Sequence, residues 1–171
     1  VNMSECMATL GEVLEPTAVV TNGAGNFAAW LHRFYSHKAC RTQLAPTSGA
    51  MGYGVPAAIG AKRIFPERTV IAFAGDGCFL VNGQDFATAV QYDLPVVVIV
   101  VDNGRYGTIR MHQEKHYPGR VSATALTNPD FAKLAQSYGA FAARVEKAED
   151  FPALWEQARN ASRNERRLAL I

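Results

Sequence analysis

Thr69-Val70-Ile71-Ala72-Phe73-Ala74-Gly75-Asp76-Gly77 decides how this chain folds. An uninterrupted apolar run, from Val70 to Ala74, enters a turn of two glycines around one carboxylate. A continuous Val/Ile-rich run, with no polar residue at alternate positions, predicts a strand buried on both faces of a parallel sheet. Val96 to Val101 is a second such run, and it ends on Asp102-Asn103. The residues from Asn82 to Tyr92 predict a crossover helix between them, so strand, helix and strand form a right-handed βαβ unit. Parallel neighbours end at the same sheet edge. Asp76 and Asn103 are thereby expected side by side at the carboxyl ends, where open α/β sheets bind ligands.

The rest of the chain extends this pattern in both directions. Met3 to Leu14 predicts an opening helix, and Ala18-Val19-Val20-Thr21 the first strand. Asn22-Gly23-Ala24-Gly25-Asn26 reads as a glycine-rich turn before a helix from Phe27 to Phe34, with a short strand over Thr42 to Ala45. Ser48 to Gly54 is a second flexible turn, and Val55 to Ile64 a helix rich in small residues. Beyond Asn103, helices are expected over Tyr106 to Lys115, Phe131 to Tyr138 (opened by Asn128-Pro129-Asp130) and Phe151 to Arg163. Strands are expected over Ala140 to Val145 and at Leu168 to Ile171. The fold class is α/β: a doubly wound, mainly parallel sheet of about five or six strands with helices on both faces.

Composition sets the limits of function. The 171 residues suit one domain, residues 1–171, with a substantial core. With 49% apolar and 19% charged residues the composition is that of an ordinary globular α/β chain, and a net charge of +2 argues for neither nucleic acid nor an acidic membrane. Arg159, Arg163, Arg166 and Arg167 read as a solvated helix face. No apolar stretch approaches the roughly 20 residues of a membrane span, and no secretory leader is visible. Cys6, Cys40 and Cys78 are odd in number and form no Cys-x-x-Cys pair, so neither a disulfide framework nor a zinc site is indicated. The expected setting is cytoplasmic. Without an initiator Met, and stopping within a strand, the chain reads as a domain excised from a longer polypeptide.

Gly75-Asp76-Gly77 suits one kind of chemistry. The glycines permit a tight turn and let backbone N–H groups approach a phosphate. A carboxylate beside a phosphate makes sense when a cation lies between them, and Mg2+ takes six oxygens from one or two carboxylates plus substrate phosphates. Asn103 offers a neutral side-chain oxygen, and the turn at Gly104-Arg105 can swing a main-chain carbonyl inward. Asp, Gly and Asn also favour plain turns, so it is the pairing of the two strand ends that carries the metal reading.

Gly75-Asp76-Gly77, then 24 residues, then Asp102-Asn103 resembles the signature of thiamine diphosphate-dependent enzymes. The segment Ser48-Gly49-Ala50-Met51-Gly52-Tyr53-Gly54-Val55-Pro56-Ala57-Ala58-Ile59-Gly60-Ala61 is similar to the one preceding that signature in the acetolactate synthase and 2-oxo acid decarboxylase group. The resemblance covers nearly the whole chain and is to the C-terminal, diphosphate-binding domain. It departs at Asp102, where many relatives carry Asn, and at Gly25-Asn26, where synthases often show Gly-Gln-His. It implies that Asp76, Asn103 and the Arg105 carbonyl ligate Mg2+. Gly75 shapes the turn, and Gly77, Cys78 and Tyr106 give backbone donors to the diphosphate, with Gly25 and Asn26 close by. The Gly49 carbonyl receives the aminopyrimidine 4′-amino group, and Met51 is the wedge that bends the cofactor into a V.

That bend brings the 4′-nitrogen within reach of the thiazolium C2 proton, so that C2 can attack a 2-oxo acid. The resemblance puts the activating glutamate in a separate pyrimidine-binding domain, of the same or another subunit. No residue of this chain is therefore expected to be catalytic by itself. The implied whole is a carboligase or decarboxylase, a transferase or lyase working as a homodimer or homotetramer. The alternatives are a non-catalytic cofactor module, a subunit lending half a site to a partner chain, and an unrelated Mg2+-dependent phosphate-binding fold.

Three other motifs invite chemistry. His112-Gln113-Glu114-Lys115-His116 sets two histidines at i and i+4, but the glutamate is at i+2 and no third ligand is evident, so a surface or cleft-facing helix is the plainer reading. Cys78 at a helix start suggests a lowered thiol pKa, against its reading as a small residue tolerated beside phosphate. Gly23-Ala24-Gly25 is half of a dinucleotide fingerprint but lacks the acidic residue that pattern needs.

Overall fold

The computed structural model describes residues 1–171. Six strands form one sheet in the order β2-β1-β3-β4-β6-β5, all parallel. They are β1 (Val19–Asn22), β2 (Gln43–Leu44), β3 (Val70–Gly75), β4 (Val97–Val101), β5 (Phe141–Ala142) and β6 (Ala169–Leu170). β3 is buried at every position, as a strand without polar alternation must be. Its side chains divide by parity: Val70, Ala72 and Ala74 face one core, Ile71 and Phe73 the other. β4 divides in the same way, Val98 to the first core and Val97 and Ile99 to the second.

Helices cover both faces. α3 (Gly54–Ile64), α4 (Asp76–Asn82), α5 (Phe86–Gln91) and α7 (Phe131–Ser137) give side chains to the first core, where Phe79 meets Phe86 and Phe131 edge to face. α1 (Met3–Val13), α2 (Ala28–Phe34) and α8 (Phe151–Arg163) close the second, around a fully buried Trp155. α6 (Gly107–His116) belongs to neither core and buries none of its residues.

β1 lies between β2 and β3, so the chain leaves it towards one side of the sheet and returns on the other. The loops after β1 and β3 diverge there, which is where doubly wound sheets open a crevice. The Thr21 hydroxyl donates to the Gly54 carbonyl at 2.6 Å. A Cβ at Gly54 would lie 3.0 Å from the Asn22 and Gly23 backbone, so only glycine lets α3 start this close to β1.

Two expectations need correction. The crossover helix expected from Asn82 to Tyr92 begins six residues earlier, at Asp76, and continues through a 3-10 turn at Gly83–Asp85 into α5. Gly75 is extended (φ −75°, ψ 159°) and acts as N-cap, and Asp76 puts its charge in the first helical turn, where the helix dipole favours it. The two glycines thus mark a strand-to-helix switch rather than a free turn. The strand expected over Ala140 to Val145 is only Phe141–Ala142, closed by the Ala143 N–H on the Leu170 carbonyl.

Candidate cofactor-binding site

A cavity of about 250 Å³ opens at the carboxyl ends of β1, β3 and β4, where the crevice was expected. It is lined by every residue that the resemblance implies for the cofactor: Gly25, Asn26, Gly49, Met51, Gly75, Asp76, Gly77, Cys78, Asn103, Arg105 and Tyr106. Asp76 is the only acidic residue in that lining. Phe27, Thr108 and Ile109, which the sequence did not single out, complete part of the wall.

Asp76 is 4% exposed, and its carboxylate is held by three N–H donors. Oδ1 accepts from the Gly77 N–H at 2.8 Å, and Oδ2 accepts from the Gly104 N–H and from Asn128 Nδ2, each at 2.8 Å. Asn128 Nδ2 also donates to Asp102 Oδ1 at 2.7 Å. Gly104 adopts φ +66°, a conformation that costs glycine nothing, and its N–H lies between the Asp76 and Asp102 carboxylates.

The neighbouring donor set is oriented by its own turn. Asn103 Oδ1 accepts from the Arg105 N–H at 3.1 Å, an Asx turn that fixes the amide. Tyr106 donates to the Thr124 carbonyl and Leu126 to the Gly104 carbonyl, so Arg105 and Ala125 form a non-hydrogen-bonded antiparallel pair. In such a pair the Arg105 carbonyl points away from the Thr124–Leu126 strap. One carboxylate, one amide oxygen and one outward carbonyl make an all-oxygen set that fits a hard cation.

Two of the three backbone donors implied by the resemblance are already engaged. The Gly77 N–H serves Asp76 and the Tyr106 N–H serves Thr124. Cys78 lies in the first turn of α4, where an N–H has no carbonyl of its own helix to reach. Gly77 and Tyr106 instead meet face to face: a Cβ on Gly77 would fall 2.6 Å from the Tyr106 ring and 3.3 Å from Met51 Cε. A Cβ on Gly75 would fall 2.7 Å from the Phe27 ring. Both glycines are required by close approach.

Met51 is 38% exposed and lies at the cavity, not in either core. The Cys78 thiol donates to the Ala24 carbonyl at 2.9 Å, and burial pushes its pKa up, with backbone hydrogen bonds opposing more weakly. A protonated, buried thiol is no nucleophile. His112 and His116 stack at 6.1 Å, and no third His, Cys, Asp or Glu gathers with them.

Sequence reasoning missed Asn128. Its local sequence, Asn128-Pro129-Asp130, reads as a helix start, but Asp130 is the N-cap of α7, its carboxylate accepting from the Lys133 N–H at 3.0 Å. Asn128 is thereby free to reach back across 52 residues of chain to Asp76. No local pattern announces such a contact.

An all-parallel, doubly wound domain with a glycine-floored cleft at its switch point has the architecture in which open α/β sheets bind ligands. The family described as thiamine pyrophosphate enzyme, C-terminal TPP binding domain matches residues 23–171, and the chain belongs to that family. It is 39% identical to an acetolactate synthase of Mycobacterium leprae (strain TN) over 156 residues, which cover 88% of this chain and 25% of the relative. A probable acetolactate synthase large subunit of Methanocaldococcus jannaschii is 43% identical over 129 residues (74% and 22%). The isozyme 3 large subunit of Escherichia coli (strain K12) is 32% identical over 160 residues (92% and 28%). The chain therefore spans about a quarter of the length of these relatives. No helix is long and apolar enough to cross a membrane.

Proposed function

We propose that this chain binds the diphosphate end of thiamine diphosphate through Mg2+, as the C-terminal domain of an acetolactate synthase-like enzyme that decarboxylates or joins 2-oxo acids. The observation that carries this reading is the meeting of Asp76, Asn103 and Arg105 with the glycine-tight floor of one cleft, in a chain of this family. Asp76, the Asn103 amide oxygen and the Arg105 carbonyl would hold the ion. The Cys78 N–H, free in the first turn of α4, would donate to the phosphates, and Met51, whose Cε lies beside Gly77, would be the wedge that bends the cofactor. When bound, the cofactor supplies a nucleophilic carbon that stores the electrons left by decarboxylation.

The chain's own residues bind and orient. Three donors hold the Asp76 carboxylate in one orientation, and the Phe27 and Tyr106 rings pack close against Gly75 and Gly77. The resemblance implies that the glutamate acting on the aminopyrimidine would come from a pyrimidine-binding domain of the same or another subunit, and the cleft's own lining holds no acid but Asp76. The cavity's volume agrees: 250 Å³ falls below the roughly 300–1,000 Å³ of complete small-molecule sites. The second reading, half a site lent to a partner chain, rests on the same observation. A homo-oligomer and a cytoplasmic setting complete the proposal.

Ligand discrimination tests it. In Mg2+, thiamine diphosphate should raise the melting temperature of the purified protein, because a ligand that binds only the folded state stabilises it by mass action. ADP and thiamine monophosphate should do so far less. Equal stabilisation by ADP would show a general diphosphate site and refute the assignment.

A further inference from the structure

Resting on the metal-bridged reading above, we propose that Asn128 is a positioning residue that makes Asp76 a one-oxygen ligand and so sets the site's preference for a small cation. An ionised carboxylate offers about four lone-pair positions, two on each oxygen. The Gly104 N–H and Asn128 Nδ2 take both positions on Oδ2, and the Gly77 N–H takes one on Oδ1. One position remains, on Oδ1. A carboxylate presented in this way ligates through a single oxygen, as Mg2+ requires for near-octahedral geometry. Ca2+ accepts carboxylates through both oxygens and tolerates irregular shells.

The orientation of Asn128 is fixed by charge. Its Nδ2 gives one hydrogen to Asp76 Oδ2 and the other to Asp102 Oδ1, while its own Oδ1 is buried without a partner. Turning the amide would satisfy nothing and would aim an oxygen at two carboxylates. The side chain accepts an orphaned oxygen in exchange for two charge-assisted bonds. Asp102 lines the adjoining, larger cavity rather than the cofactor cleft, so it is tied to Asp76 without entering the site. Of the three donors on Asp76, Asn128 is the only one a side-chain substitution can remove.

Calorimetric titration of thiamine diphosphate into the protein tests this, with Mg2+ or Ca2+ as the only divalent ion. Partners behind a metal ligand typically cost about 10–100-fold in metal affinity when lost. Asn128→Ala should weaken Mg2+-supported binding by that factor and Ca2+-supported binding much less, narrowing the preference. Asp130→Ala removes the cap of α7 beside Asn128 and should leave the Mg2+/Ca2+ ratio unchanged. If Asn128→Ala weakens both cations equally, or neither, the inference is overturned while the site assignment stands. Failure of the unsubstituted protein to bind thiamine diphosphate in Mg2+ sinks the site assignment and the inference together. Should Asn128→Ala not fold, the unsubstituted protein decides. The Asn128 side-chain amide protons should exchange slowly with water by NMR and respond to Mg2+ with cofactor, and fast, unresponsive exchange would refute the role.

Discussion

α4 and α6 leave neighbouring central strands at the same sheet edge, yet they are built on opposite terms. α4 begins on the residue after β3 and buries Asp76, Gly77, Cys78 and Phe79. α6 begins after a five-residue turn, Asp102 to Tyr106, and buries nothing. It is held by few bonds: Thr108 Oγ1 accepts from the Asn26 N–H, and Gln113 exchanges two hydrogen bonds with the Ser122 backbone. Ile109 and Met111 stand exposed on it. The difference predicts two tasks: a fixed anchor for charge in α4, and a loosely held wall in α6. Stability within one domain is uneven in this way, and binding elements come from its weaker parts.

The largest effect expected from this contrast is at Asp76. Asp76→Ala should abolish the Mg2+-dependent rise in melting temperature with thiamine diphosphate, while α6 substitutions such as Ile109→Ala reduce it only partly. A variant that keeps the full rise would remove α4 as the anchor.

Gly77→Ala should come next. The new Cβ meets the Tyr106 ring, and overpacking of this kind costs about 1–3 kcal/mol. Denaturant unfolding should show that loss, together with weaker cofactor binding. The same substitution at Gly119, where a Cβ meets nothing within 4 Å but φ is +73°, should show only the backbone strain.

Met51→Ala separates packing from binding. A core methionine cut to alanine costs about 2–5 kcal/mol. Half-exposed at the cleft, Met51 should cost clearly less in unfolding while cofactor-dependent activity of the assembled enzyme falls. Loss of the fold would place Met51 in the core.

Hydrogen exchange and thiol chemistry give the finest readings. Amides of α6 should exchange faster than those of α4 and gain more protection on binding. Exposed Cys40 should react with iodoacetamide first, and buried Cys6 and Cys78 slowly, because burial holds their thiols protonated. A raised thiol pKa favours the folded state below the ordinary value. That contribution should fade as pH rises above about 8.5. Rapid alkylation of Cys78 at neutral pH would mean that α4 opens as readily as α6.

The same contrast explains what the sequence disclosed. β3 and β4 were legible because fully buried parallel strands need continuous apolar runs. The start of α4 was misplaced because Gly75 and Gly77 look like turn residues, and only the close approach of Phe27 and Tyr106 explains them. Asn128 was illegible for a different reason: its contact depends on how a distant loop returns over the sheet edge.

The most direct test of the account is the affinity for thiamine diphosphate measured by calorimetry in Mg2+ and again in excess chelator. Asp76 and the diphosphate repel each other in one cleft, and a divalent cation between them would relieve that repulsion. Saturable heat should appear in Mg2+ and vanish in chelator. Equal affinity in both would show that Asp76 does not bridge to the ligand through metal, and the central assignment would fall.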